Sequence, residues 1–154
     1  MIQDQAGEEL WFLKGRVRVR SQATPGEQAA SLMEHRMPRG DSPPLHRHER
    51  EDEVFHIIEG EIRFRVGDQE ILARAGDTLV GPKGVAHTFR VESEEARFLT
   101  LATAGDFEAM MREVARPAGD GLPPAAEPTP AEIQALAAAA ARHRITILGP
   151  PMAA

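Results

Sequence analysis

GDSPPLHRHEREDEVFHIIEG, residues 40–60, decides the reading of this chain. Gly40 is followed after five residues by His46-Arg47-His48, after four more by Glu53, and after six more by Gly60. A second stretch, GDTLVGPKGVAH at residues 76–87, is punctuated in the same way: Gly76, five residues, Pro82-Lys83-Gly84, two residues, His87. Residues two apart on a β-strand share a face, so His46 and His48 can both point inward at one atom. Neutral imidazole and carboxylate together suit a divalent first-row transition metal better than calcium or magnesium, which prefer oxygen shells. Four such groups converging unpaired would carry a desolvation cost. His46, His48, Glu53 and His87 are therefore read as metal ligands. The ligand set does not choose among Fe, Mn, Ni, Cu, Co and Zn.

Outward from these stretches the chain reads as short strands broken by turn residues. Glu61 to Val66 alternates cleanly, with Ile62, Phe64 and Val66 on one face and Glu61, Arg63 and Arg65 on the other. Gly67-Asp68 then supplies a hairpin turn before Gln69 to Ala73. Leu10 to Leu13 and Val17 to Val19 flank a turn at Gly15, Ala29 to Met37 is a strand ending at Pro38, and Arg39 to Leu45 reads as a loop. Glu53 to Ile58, Thr78 to Val80, Val85 to Val91 and Arg97 to Ala102 complete the set. Strands this short, with no helix between them, predict an all-β antiparallel sandwich or barrel over residues 1–104.

Residues 105–154 change character and are read as a helical extension packing on the barrel. Asp106 can cap a helix whose Phe107, Met110, Met111 and Val114 fall on one face. Arg116 to Pro128 is a Pro/Ala/Gly connector. Thr129-Pro130-Ala131-Glu132 combines a capping box with proline at the first helical position. Ile133, Leu136, Ala137 and Ala140 give the second helix an apolar face. Ile145 to Leu148 adds a final strand that Gly149-Pro150-Pro151 stops.

Of 154 residues, 42% are hydrophobic and 27% charged, an ordinary globular balance for one folding unit. The net charge of −6 with no basic stripe argues against nucleic acid as a partner. There is no cysteine, so thiolate chemistry is excluded, and no tyrosine, so no phenol can act as acid, base or radical site. Met1 to Gln5 lacks the basic start and apolar run of a signal peptide, and no stretch approaches the ~20 apolar residues of a membrane span. A cytoplasmic location is expected.

The two motif stretches resemble the paired sequence motifs of the cupin superfamily, small β-barrels with the glycine, His-x-His, glutamate and glycine spacing seen here. Fifteen residues separate the two, as in short bacterial cupins. The ending Ile145-Thr146-Ile147-Leu148-Gly149-Pro150-Pro151 is similar to that of small quercetin-dioxygenase-like cupins. The asparagine usual four residues after the last histidine is Val91 here. The resemblance implies a jelly-roll-like β-barrel, a divalent metal, a homodimer and a small-molecule substrate. It also implies that Glu53 either binds the metal or swings off it to act as base. The expected activity is a dioxygenase type on a small aromatic or enolisable compound, with Glu53 catalytic. The alternatives are a metal-assisted isomerase, hydrolase or decarboxylase, or a non-catalytic ligand-binding cupin.

Strand alternation sends Phe55 and Ile57 inward after Glu53, Phe89 and Val91 inward after His87, and Phe64 inward on its own strand. These five are candidates for the wall of an apolar substrate pocket, with plain core packing the competing reading. His35, His56 and His143 are read as ordinary residues, Met33, Met37, Met110 and Met111 as core, and Glu49 to Asp52 as a solvated loop beside the site.

Overall fold

Alternating apolar and polar side chains fold the chain into two antiparallel sheets, seen in a computed structural model that describes residues 7–23 and 30–154. Met1 to Gln5 and Ala29 lie outside the described residues. The first sheet runs in the order β11 (Arg116–Pro117), β1 (Glu9–Phe12), β2 (Gly15–Ser21), β3 (Ser31–Pro38), β10 (Glu95–Ala102), β5 (Glu53–Glu59), β8 (Thr78–Gly81). The second runs β12 (Ile145–Pro151), β4 (Pro44–His48), β9 (His87–Val91), β6 (Glu61–Val66), β7 (Gln69–Arg74). Phe55, Ile57 and Phe98 from the first sheet meet Ile62, Phe64, Phe89 and Val91 from the second in one buried core. Their rings pack edge-on or tilted, with Phe55 and Phe64 centroids 5.0 Å apart, the arrangement the aromatic quadrupole favours. This is the expected jelly-roll-like β architecture.

Most strand boundaries fall within a residue or two of the sequence reading, and three places differ. The first hairpin turns at Leu13-Lys14, with Leu13 in left-handed backbone at φ 53, while Gly15 already begins β2. Pro44 and Leu45 belong to β4 rather than to a loop. Strand β12 continues through Gly149-Pro150-Pro151 instead of stopping there. It lies at the edge of its sheet and pairs only with β4, with register shifts at Gly149 and Pro151, and edge positions tolerate proline because no ladder N–H is needed. Between β5 and β6, Gly60 at φ 88 is obligatory: a Cβ there would stand 2.5 Å from Glu95 O.

Helix α1 (Asp106–Val114) and helix α2 (Pro130–Arg142) follow the strands. The capping box of α2 forms as expected, Thr129 accepting from Glu132 N–H and Glu132 accepting from Thr129 N–H. Its buried face agrees in part: Ala140 is buried and Leu136 packs on the same cluster as expected, whereas Ala139 rather than Ala137 is buried and Ile133 is 55% exposed. Met110, Ala139, Ala140 and Ile145 form a second apolar cluster that joins both helices to β12. The connector between the helices is clasped to the first hairpin. Trp11 Nε1 donates to Gly121 O at 3.0 Å, Arg16 donates to the Gly119 and Gly121 carbonyls, and Lys14 pairs with Glu127 at 2.6 Å. Among the described residues no helix is long and apolar enough to cross a membrane.

Candidate metal centre

The four motif residues reach one point from three strands. His46 and His48 alternate inward from β4, and His87, first residue of β9, sits opposite His46 in register. Glu53, first residue of β5, lies opposite Gly81. All four are buried, and one ligand atom from each lies within 4.8 Å of every other. Gly81 makes room for this: a Cβ there would meet His87 Cε1 and Nδ1 at 3.1 Å.

Each imidazole uses Nδ1 to hold its orientation. His46 Nδ1 donates to Pro44 O at 2.7 Å, His48 Nδ1 to Glu51 Oε1 at 2.7 Å, and His87 Nδ1 to Val85 O at 3.3 Å. That leaves the three Nε2 atoms for the centre, the division of labour that metal-ligating histidines use. His48 Nε2 is fully buried, 3.3 Å from Glu53 Oε2, and makes no hydrogen bond. His87 Nε2 is 3.1 Å from the same oxygen. A buried nitrogen without a hydrogen bond, among two other imidazoles and a carboxylate, fits a divalent transition ion.

The electrostatics of the cluster agree. Burial, reinforced by His87 and His48, pushes His46 down to about 3 and keeps it neutral. Burial opposes charge on His48 too, but the hydrogen bond to Glu51 and the negative charge of nearby Glu53 outweigh it and push His48 up to about 10. Burial would likewise raise Glu53, yet His48 and His87 hold it well below the ordinary carboxylate range. A proton on His48 thus occupies the electrostatic place that a cation would take.

Comparison with known proteins agrees with this geometry. Residues 33–102, which span β3 to β10 and all four candidate ligands, match the family model of the cupin domain. Residues 33–102 form a cupin domain. Quercetin 2,3-dioxygenase from Bacillus subtilis (strain 168) is 31% identical over 80 residues, 52% of this chain and 24% of that protein. The match thus spans about a quarter of that relative's length. An RmlC-like cupin from Shewanella frigidimarina has TM-score 0.55 and 15% identity over 68% of this chain and 88% of its own. A predicted oxalate decarboxylase from Thermotoga maritima has TM-score 0.54 and 21% identity, covering 67% and 99%. Both likenesses are of fold.

In this cupin a cavity of about 50 Å³ adjoins His46 and Glu53. Phe12, Phe55, Phe89, Phe98 and Phe107 line it, together with Leu13 and Met37. Of the five candidate wall residues, Phe55 and Phe89 stand on this cavity. Ile57, Phe64 and Val91 do not; they are fully buried farther along the barrel, packed on one another.

Three polar residues that sequence reasoning passed over also belong here. His35 lines the cavity, its ring stacked on Phe98 at 4.8 Å and hydrogen-bonded to Thr100 Oγ1 at 2.8 Å. Burial pushes it down to about 4, so it is neutral at physiological pH. Asp41 also lines the cavity, with Oδ1 accepting from Ser42 N–H and Oδ2 buried without a partner. Glu51, read as part of a solvated loop, is fully buried. It was hidden because its neighbours Glu49 and Arg50 are exposed, and only the fold brings His48 and α1 to it. His56 is exposed on the outer face, as alternation requires.

Proposed function

We propose that this cupin is a metal-dependent oxygenase of the quercetin-dioxygenase type, acting on a small aromatic or enolisable compound. The observation that carries the reading is Glu53, an ionised carboxylate held beside three inward imidazoles at the end of an apolar cavity. The similarity to quercetin 2,3-dioxygenase over 80 residues supports it. His46, His48 and His87, with Glu53 bound or swung free, would hold the ion. Bound there, a divalent transition ion would supply a Lewis acid with open positions for substrate oxygen and dioxygen.

The chain's own residues then have separate tasks. Glu53 accepts the proton of the substrate's enol or phenol hydroxyl, a contribution of typically ~10²–10⁴-fold in rate. Phe55 and Phe89 form the wall against which a flat ring lies, with Ile57, Phe64 and Val91 as the packed support behind it. Phe12, Phe98 and Phe107 exclude water from the reacting atoms. The cavity of about 50 Å³ is small beside the ~300 Å³ and more of common ligand pockets. The substrate is therefore no larger than a single ring unless the first hairpin and α1 move outward. We take the working form to be a cytoplasmic homodimer; a monomer mass by light scattering at micromolar concentration would overturn that part.

Dioxygen uptake by protein loaded in turn with Fe, Mn, Ni, Cu, Co and Zn, against a panel of single-ring enols and phenols, tests the activity. Uptake is expected with a redox-active ion and should be lost in Glu53→Gln. His48→Ala should lose the metal itself. Protein that binds an ion and a ring compound yet consumes no dioxygen would overturn the oxygenase reading in favour of non-oxidative chemistry or binding.

A further inference from the structure

We propose that Glu51 is a positioning residue that ties the metal centre to helix α1, so that filling the centre and seating the helix over the cavity are one linked event. The inference rests on the metal reading above.

Glu51 is fully buried, and both of its oxygens are engaged on two different structures. Oε1 accepts from His48 Nδ1–H at 2.7 Å and from Phe107 N–H at 2.7 Å. Oε2 accepts from Asp106 N–H at 3.1 Å. The two amides open α1, where the expected local cap does not form: the residue before the helix is Gly105, left-handed at φ 79 and without a side chain to donate or accept. Asp106 is itself the first helical residue, and its carboxylate is turned to Arg50 in two bonds of 2.6 and 2.7 Å. Orphan amides at a helix start are ordinarily met by a neighbouring side chain or water. Here they are met by a carboxylate 55 residues earlier that also holds a ligand ring.

A cap alone would need no contact with His48. The shared Oε1 makes the two contacts interdependent, because one atom position satisfies the imidazole and Phe107 N–H together. Moving α1 off the barrel would leave a buried carboxylate short of two donors, which is costly, and would free Glu51 to turn away from His48. What α1 carries matters as well. The Phe107 ring stands between the cavity at Glu53 and a second of about 50 Å³ bounded by Pro44, Met110 and Ile145. It lies 6.3 Å from the His48 ring and edge-on to Phe12 at 6.0 Å, centroid to centroid. Phe107 packs on the apolar clusters of both the first hairpin and the second helix, and its backbone N–H, held by Glu51, sets where on them the ring sits. Linkage is reciprocal: if a seated α1 fixes His48 for the ion, a bound ion stabilises the seat of α1.

Cobalt(II) is the probe. Its affinity by chelator competition, its visible absorption spectrum and amide hydrogen exchange at Asp106 and Phe107 are measured on the full chain. In the wild type, cobalt should slow exchange at those two amides by at least several-fold. In Glu51→Ala, cobalt affinity should fall ~10–100-fold, the spectrum should shift, and cobalt should no longer protect the two amides. Glu51→Gln, whose amide oxygen can still take the shared position, should recover part of the affinity. Fast exchange in Glu51→Ala with wild-type affinity and spectrum would reduce Glu51 to a helix cap and overturn the proposal alone. A wild-type chain that takes up no cobalt would overturn the metal reading and the proposal with it. If Glu51→Ala does not fold, the wild-type comparison with and without cobalt decides: unchanged exchange at both amides defeats the linkage.

Discussion

Asp41 shows how one residue can leave a pH signature on the molecule. Burial, partly offset by the Ser42 N–H, raises its carboxyl to about 6 from an ordinary value of 3.8. A carboxyl raised on folding is favoured in its neutral form, so the cost of its charge is absent below pH ~4, grows as pH rises to about 6, and stays constant beyond. At 1.36 kcal/mol per pH unit the ionised side chain costs about 2–3 kcal/mol. Asp41→Asn, which keeps an acceptor for Ser42 N–H, should therefore be more stable than the wild type at pH 7.5 and equal to it at pH 4. Urea unfolding at the two pH values checks this; an equal difference at both would remove ionisation as the cause. Gly81 makes a sterically opposite point. Its missing side chain is where the His87 ring lies, so Gly81→Val should fold yet bind metal at least tenfold more weakly, measured by chelator competition.

Among the elements, α2 was legible at its start and only in part along its face. The Thr129-Pro130-Ala131-Glu132 signal acts through local hydrogen bonds, and local chemistry is what sequence records best. The buried face is legible only at Leu136 and Ala140, because a helix so rich in alanine offers weak periodicity, and the partner surface on α1 and β12 decides which alanines are covered. Ala139→Leu should overpack that contact and cost about 1–3 kcal/mol, whereas Ala138→Leu on the exposed side should be nearly neutral; urea unfolding of the two separates them. The same contrast runs through the site. His46, His48, Glu53 and His87 could be read from spacing because strand alternation fixes which side chains converge. Glu51 and His35 could not, since their partners Asp106 and Thr100 lie 55 and 65 residues away, nor could Asp41, whose burial only the fold decides.

At the scale of the whole molecule, an ion held at the proposed centre and the folded barrel should stabilise each other. Ion uptake must displace the proton that Glu51 and Glu53 hold on His48 up to about pH 10. Apparent affinity should accordingly rise with pH, close to tenfold per unit from pH 6 to 9, and flatten above pH ~10; chelator competition across that range measures it. An ion at a thousandfold excess over its Kd should stabilise the fold by ~4 kcal/mol, seen as a rise in Tm of roughly 10 °C. His48→Ala should show neither effect. The clasp on the first hairpin has a use of another kind. Trp11, which donates to Gly121 O, is the chain's one tryptophan, and there is no tyrosine. Ultraviolet emission excited at the indole band therefore comes from a single address, where the 116–128 connector meets the first hairpin, whose Phe12 and Leu13 line the cavity. A shift in that emission upon adding an ion or a ring compound would signal motion of this corner, without a label and independently of circular dichroism from the sheets.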